Sequence, residues 1–172
     1  MPTLATARAA NKAYKPAYGR PVAVFVGGTA GIGAGLARTL ARNLGGDVDI
    51  VLVGRNAAAA DAILAGLPTP TNMANAPLRK FVRCDAVYMR EVVRAVQDIR
   101  ALAGRVNFLV VCQAVLDLKT RDETDEGIDR KMALFYYSRW KFIHEWGRLP
   151  MELLVPELTI RGQAHATAAG GD

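Results

Sequence analysis

A cluster of glycines set between an apolar strand and a helix constrains this chain more than any other feature. Pro21-Val22-Ala23-Val24-Phe25-Val26 is short, apolar and rich in β-branched residues, and small and aliphatic residues recur at helical spacing up to Leu44. The stretch therefore reads strand, turn, helix. The turn itself is Gly27-Gly28-Thr29-Ala30-Gly31-Ile32-Gly33. A side chain there would hold a pyrophosphate away from the backbone N–H groups and would stop the helix from starting tight against the strand. A Walker turn would need Gly-Lys-Ser/Thr, and no lysine occurs between Lys15 and Lys80, so a P-loop nucleotidase is excluded. A dinucleotide site remains.

The alternation continues along the chain. The first helix stops at Gly45-Gly46, and Val48–Val53 reads as a second buried strand ending in Gly54-Arg55-Asn56. A helix is expected over Asn56–Leu67, turn formers over Pro68–Pro77, a third strand over Leu78–Asp85, a helix from about Tyr88 to Ala103, and a fourth strand over Val106–Cys112. Right-handed crossovers then give an α/β, Rossmann-like parallel sheet in the order 3-2-1-4 with helices on both faces. Roughly 20 residues past the turn, an NAD site carries an acidic side chain for the ribose hydroxyls, whereas this chain has Arg55. A cation there suits the 2′-phosphate of NADP(H). The alternative is an exposed arginine starting the next helix.

The spacing Gly27-x-x-x-Gly31-Ile32-Gly33, with Thr29 inside it, resembles the short-chain dehydrogenase/reductase family. That family's Thr-Gly-x-x-x-Gly-Ile-Gly turn is matched from Gly27 onward, with Val26 in the threonine's place. The resemblance runs from about Arg20 to Glu145 and implies a nucleotide-binding part followed by a shortened or divergent catalytic part. It implies cofactor contacts from Gly27, Gly28, Thr29, Gly31, Ile32 and Gly33. It further implies that Asp85 bonds the adenine amino group, the alternative being an N-cap for the following helix. Where the family lines the nicotinamide ribose with Asn-Asn-Ala-Gly, this chain has Cys112-Gln113-Ala114-Val115, and Gln113 keeps the ability to bond a ribose.

Family enzymes place a serine on a fifth strand and Tyr-x-x-x-Lys on the helix after it, the lysine lowering the pKa of the proton-donating tyrosine. Tyr137 and Lys141 match that spacing and share a helix face. They come one strand early, and the sole serine, Ser138, lies between them. Two readings of the pair follow: proton donor and its lysine, or a packing and interface tyrosine beside a surface lysine. The implied function is accordingly NADP(H)-dependent oxidoreduction of a small carbonyl or hydroxyl compound, as in the secondary metabolism that many such reductases serve. The alternative is a non-redox or catalytically impaired nucleotide-binding scaffold: a binding or cyclase-like protein, or an inactive fragment.

At 172 residues and 51% apolar composition, the chain is expected to form one domain over 20–147, with a flexible leader over 1–19 and an irregular tail over 148–172. The basic leader composition also fits a mitochondrial presequence, but the absence of serine and the break at Pro16 favour a plain leader and a cytoplasmic protein. The formal charge of +6 is scattered, without the basic stripe of a nucleic-acid binder, and no apolar run is long enough to span a membrane. Cys84 and Cys112 lack metal spacing and are expected to be reduced and inert. The mixed-charge run Thr120–Gly127 is expected to pair internally and start a helix rather than bind metal. That helix, over 128–146, carries aromatic groups all around, which predicts a homo-oligomer formed through it.

Overall fold

The computed structural model describes residues 2–16, 19–70, 75–116 and 120–147. In chain order its elements are α1 (Leu4–Ala13), β1 (Val22–Val26), α2 (Gly31–Asn43), β2 (Asp49–Gly54), α3 (Ala57–Ala65), β3 (Arg79–Arg83), α4 (Met89–Leu102) and β4 (Phe108–Val111). A short helix α5 (Arg130–Met132) then runs through a π-turn (Ala133–Tyr137) into α6 (Ser138–Gly147). The sheet is parallel throughout, in the order β3-β2-β1-β4, with Val24 opposite Val51 on one side and Leu109 on the other.

Strand periodicity builds the two cores. Val24, Val26, Val51 and Val53 point to one face, where α4 supplies Val92, Ala95, Val96 and Ile99, and the last helix supplies Leu134 and Phe142. Their neighbours Ala23, Phe25, Ile50 and Leu52 point to the other face and meet Ala34, Ala37 and Ala41 of α2 together with Ala60 and Ile63 of α3. Both central strands are buried on both faces, as parallel strands covered by helices must be. β4 is only half-buried along its whole length.

Side chains tie the N-terminal ends of the strands together. Arg20 bonds Asp47 at 2.7 Å and also reaches the carbonyls of Asn75 and Ala76, Asp49 accepts from the Leu78 N–H at 2.7 Å, and Asn107 accepts from the Val22 N–H at 2.9 Å. At the end of α2, the Gly46 and Gly45 N–H groups close onto the Ala41 and Arg42 carbonyls at 2.8 and 3.1 Å, the Schellman pattern. Arg79 then bonds the Pro68 and Gly46 carbonyls at 2.7 and 3.2 Å. The C-terminal ends of the strands carry the loops that form the cleft.

Element types and strand order agree with the sequence reading, with two local corrections. The expected leader carries a helix over residues 4–13, opened by the Thr3 hydroxyl, which accepts from the Thr6 N–H at 3.2 Å, and no residue of it is buried. Asp85 is not the cap of α4. Tyr88 holds that position, and Glu126 from the mixed-charge run accepts from the Met89 and Arg90 N–H groups at 2.6 and 3.2 Å. The helix expected over 128–146 contains a wider turn in which the Ser138 N–H reaches back to the Ala133 carbonyl. The expected tail over 148–172 lies outside the described residues.

The mixed-charge run folds on itself as expected. Asp129 caps α5 by accepting from the Lys131 and Met132 N–H groups at 3.0 and 3.2 Å, and it also accepts from Asp122 N–H at 3.0 Å. Asp122 pairs with Arg130, and Asp125 with Arg90, at 3.0 and 2.9 Å. Among the described residues no group of three or more potential ligands could hold a metal, and no helix is long and apolar enough to cross a membrane. The bonds from Asp122 and Met132 hold the Asp129 carboxyl below its ordinary range. Its support for the loop is therefore complete above about pH 4 and is lost as pH falls through the lowered value. Protection of the Lys131 and Met132 amides, taken relative to the intrinsic exchange rate at each pH, is expected to fall below pH 4, and Asp129→Asn to weaken that pH dependence.

Candidate nucleotide cleft

The glycine turn sits where β1 passes into α2, and its backbone conformation explains its composition. Gly27 has φ +77°, and a Cβ on it would lie 2.7 Å from the Gln113 nitrogen, so only glycine lets the end of β1 approach the end of β4 this closely. A Cβ on Gly33 would lie 2.4 Å from the Gly27 carbonyl oxygen, so its bare backbone lets the helix begin against the turn. Gly31, at φ +52°, has nothing within 4 Å of its missing Cβ and faces open space. Gly28 differs from the expectation: its Cβ would meet the Phe25 carbonyl at 2.7 Å, which makes it a packing glycine turned away from the cleft.

That open space is a cleft of 320 Å³ at the C-terminal ends of all four strands. Of the residues the sequence marked, Gly27, Thr29, Gly31, Ile32, Gly33, Arg55, Asp85 and Gln113 line it. The first turn of α2 carries no acidic residue, and its cap position, Ala30, offers no side-chain acceptor. The positive end of the helix is thus left facing the cleft. Ile32 lies at the same place with 76% of its surface exposed. Arg55 and Asp85 meet at the mouth, 4.0 Å apart, with the Arg55 side chain 76% exposed.

Gln113 lines the cleft with its amide nitrogen engaged and its Oε1 left without a hydrogen-bond partner among the described residues. Its side-chain nitrogen donates to the Ser138 hydroxyl at 3.1 Å, the hydroxyl donates to the Leu134 carbonyl at 3.3 Å, and Arg139 donates to the Gln113 carbonyl at 3.2 Å. This cluster pins the end of β4 to the π-turn. Leu134, which the sequence reading did not mark, reaches the cleft from that turn; its spacing of four from Ser138 is the signal that was available.

Tyr137 and Lys141 lie elsewhere. Tyr137 borders a second cavity with Arg121, Ile128 and Met132, packs edge-on against Tyr136 at 5.2 Å and is not part of the cleft wall. Lys141 pairs with Glu145 at 2.8 Å. Cys84 and Cys112 both border the cleft as free thiols, and burial, with Glu91 and Asp85 nearby, pushes the Cys84 thiol up to about 12.

The cradle, the uncapped helix and the strand order coincide with a family model for short chain dehydrogenase that matches residues 21–138. The chain belongs to the short-chain dehydrogenase family. It is 33% identical over 142 residues to the oxidoreductase andH of Emericella variicolor and 37% identical over 144 residues to an oxidoreductase of Emericella nidulans. Each match takes in 83% of this chain and 41% of the relative, so the chain spans about two fifths of the length of these curated relatives. Solved structures share the fold. L-sorbose reductase from Gluconobacter frateurii, complexed with NADPH and L-sorbose, superposes with a TM-score of 0.59 at 21% identity, covering 75% of this chain and 47% of that one. The NADP complex of RhlG from Pseudomonas aeruginosa gives 0.56 at 20% identity, with the same coverage.

Within this short-chain dehydrogenase fold the glycines have separable roles. Gly33→Ala is expected to destabilise the chain by about 3 kcal/mol, since both clashing partners are backbone. Gly31→Ala is expected to cost only about 1 kcal/mol, its positive-φ strain being partly offset by reduced freedom of the unfolded chain. Urea unfolding of the two variants checks the order.

Proposed function

We propose that this chain is the NADP(H)-binding part of an oxidoreductase acting on a small carbonyl or hydroxyl compound. The observation that carries the reading is the convergence of the glycine cradle, an uncapped helix start and Arg55 on one cleft. In this reading the turn and Thr29 hold the pyrophosphate, Arg55 meets the 2′-phosphate, Asp85 accepts from the adenine amino group, and the backbone after β4 borders the nicotinamide end. Bound there, NADP(H) supplies or accepts a hydride. The NADPH and NADP complexes of the two solved neighbours support the choice of cofactor, and the oxidoreductase names of the fungal relatives support the reaction class.

A second reading is nucleotide binding without turnover by these 172 residues. What favours it is the position of Tyr137, in a cavity of its own, with Lys141 committed to Glu145. Carbonyl reduction needs a proton donor at the developing alkoxide, typically worth about 10²–10⁴-fold in rate, and this pair does not reach the cleft. Calorimetry is expected to show NADPH binding that Gly31→Ala reduces at least tenfold and that Tyr137→Phe leaves unchanged. Consumption of NADPH with ketones and quinones is expected to be slow or absent. Rapid consumption abolished by Tyr137→Phe would restore the tyrosine as acid.

We propose further that the chain self-associates through its last helix. Phe135, Tyr136, Trp140 and Ile143 are each about half exposed there, and β4 is the final strand on its side among the described residues. Light scattering at micromolar concentration is expected to give at least a dimeric mass, and Trp140→Glu to shift it toward the monomer.

A further inference from the structure

We propose that Asp85 sets how strongly the cleft distinguishes NADP(H) from NAD(H), by partly neutralising Arg55, the guanidinium that lines the cleft among the described residues. The inference rests on the cofactor reading above.

The geometry is fixed by the sheet. The last paired rung of β2 and β3 joins Gly54 to Arg83, and the Cys84 N–H continues it by donating to the Gly54 carbonyl at 2.8 Å. Arg55 and Asp85 are the next residues outward on the two strand tips, which is why their side chains meet, with Arg55 Nη1 4.0 Å from Asp85 Oδ2. Asp85 is held from behind. Its N–H donates to Glu91 at 2.7 Å, and its Oδ1 accepts from the Val87 N–H at 3.3 Å, which leaves Oδ2 toward the arginine. Glu91 in turn lies 3.7 Å from Arg94, so that charge is already balanced. Arg55 has no such support: its side chain is 76% exposed, against 28% for Asp85, and it is the cation of the pair that lines the cleft.

A 2′-phosphate arriving at Arg55 must compete with the Asp85 carboxylate and is repelled by it. A 2′-hydroxyl feels neither effect strongly. An exposed pair at this distance is worth roughly a two- to fivefold factor in an equilibrium, and a dianionic phosphate experiences the carboxylate with about twice the force of a single charge. The cleft therefore prefers NADP(H) only modestly, although a lone arginine at the tip of β2 suggests a strong preference.

Asp85→Asn separates charge from hydrogen bonding, since the amide oxygen still accepts from an adenine amino group. The test is calorimetry on the full chain with NADPH and NADH across a salt series. The adenine contact is common to both nucleotides, so the expected result for Asp85→Asn is a three- to tenfold rise in the ratio of NADPH to NADH affinity and a steeper loss of NADPH affinity with salt. An unchanged ratio of the two dissociation constants, with binding intact, overturns the proposal and spares the cofactor reading. Failure of folded wild type to bind either nucleotide overturns both. Asp85→Ser, which keeps a short acceptor, carries the same comparison if the asparagine variant does not fold.

Discussion

Everything at the functional end of this molecule depends on how near two backbones come at Gly27 and Gly33. The Gly27 carbonyl sits where a Cβ of Gly33 would have to be, and the Gln113 nitrogen sits where a Cβ of Gly27 would have to be. These two approaches lock β1, the start of α2 and the end of β4 into one rigid corner. The small residues that follow, Ala34, Ala37 and Ala41, extend the same closeness down the helix, so that α2 lies directly on Ala23 and Phe25. Close packing at the corner and an open space at Gly31 are parts of one arrangement: the helix can point at a ligand because nothing bulky separates it from the strand.

The opposite end of the sheet shows the complementary design. Arg20, Asp49, Arg79 and Asn107 satisfy the strand starts and the connecting turns with charged and amide groups drawn from distant parts of the sequence. Their polar bonding capacity is used for cohesion. At the cleft end, by contrast, the helix start has no side-chain cap, and among the described residues Arg55 pairs loosely with Asp85 at 4.0 Å. Polar groups at one end of the sheet are used mainly for cohesion, while those at the other end face the cleft.

Much of this was legible in the sequence because it rests on local rules. Strand alternation, glycine spacing and helix stops gave all four strands in their order, and the cleft-lining glycines followed from the same pattern. What escaped was set by distant partners. Gly28 could not be told from its neighbours without knowing that Phe25 lies beneath it. A buried serine 25 residues after Gln113 takes its amide nitrogen, a bond that spacing along the chain does not announce. Glu126 caps a helix that begins 37 residues before it, a role for which spacing along the chain gives no sign. Tyr137 and Lys141 matched a motif in sequence, yet neither lines the cleft: Tyr137 borders another cavity and Lys141 pairs with Glu145.

The wide turn between α5 and α6 has a consequence for how this helix can change over time. Each residue of a regular helix advances it by about 100°, and the extra residue held in the π-turn is what lets Ala133 and Leu134 face inward together with Ser138 and Phe142. Seen as a length of chain, the turn is an insertion that the fold has absorbed. Removing one residue from it would not merely shorten the helix. It would close the wide turn into a regular one with both halves still facing inward, because the deletion takes out the residue that the turn absorbs.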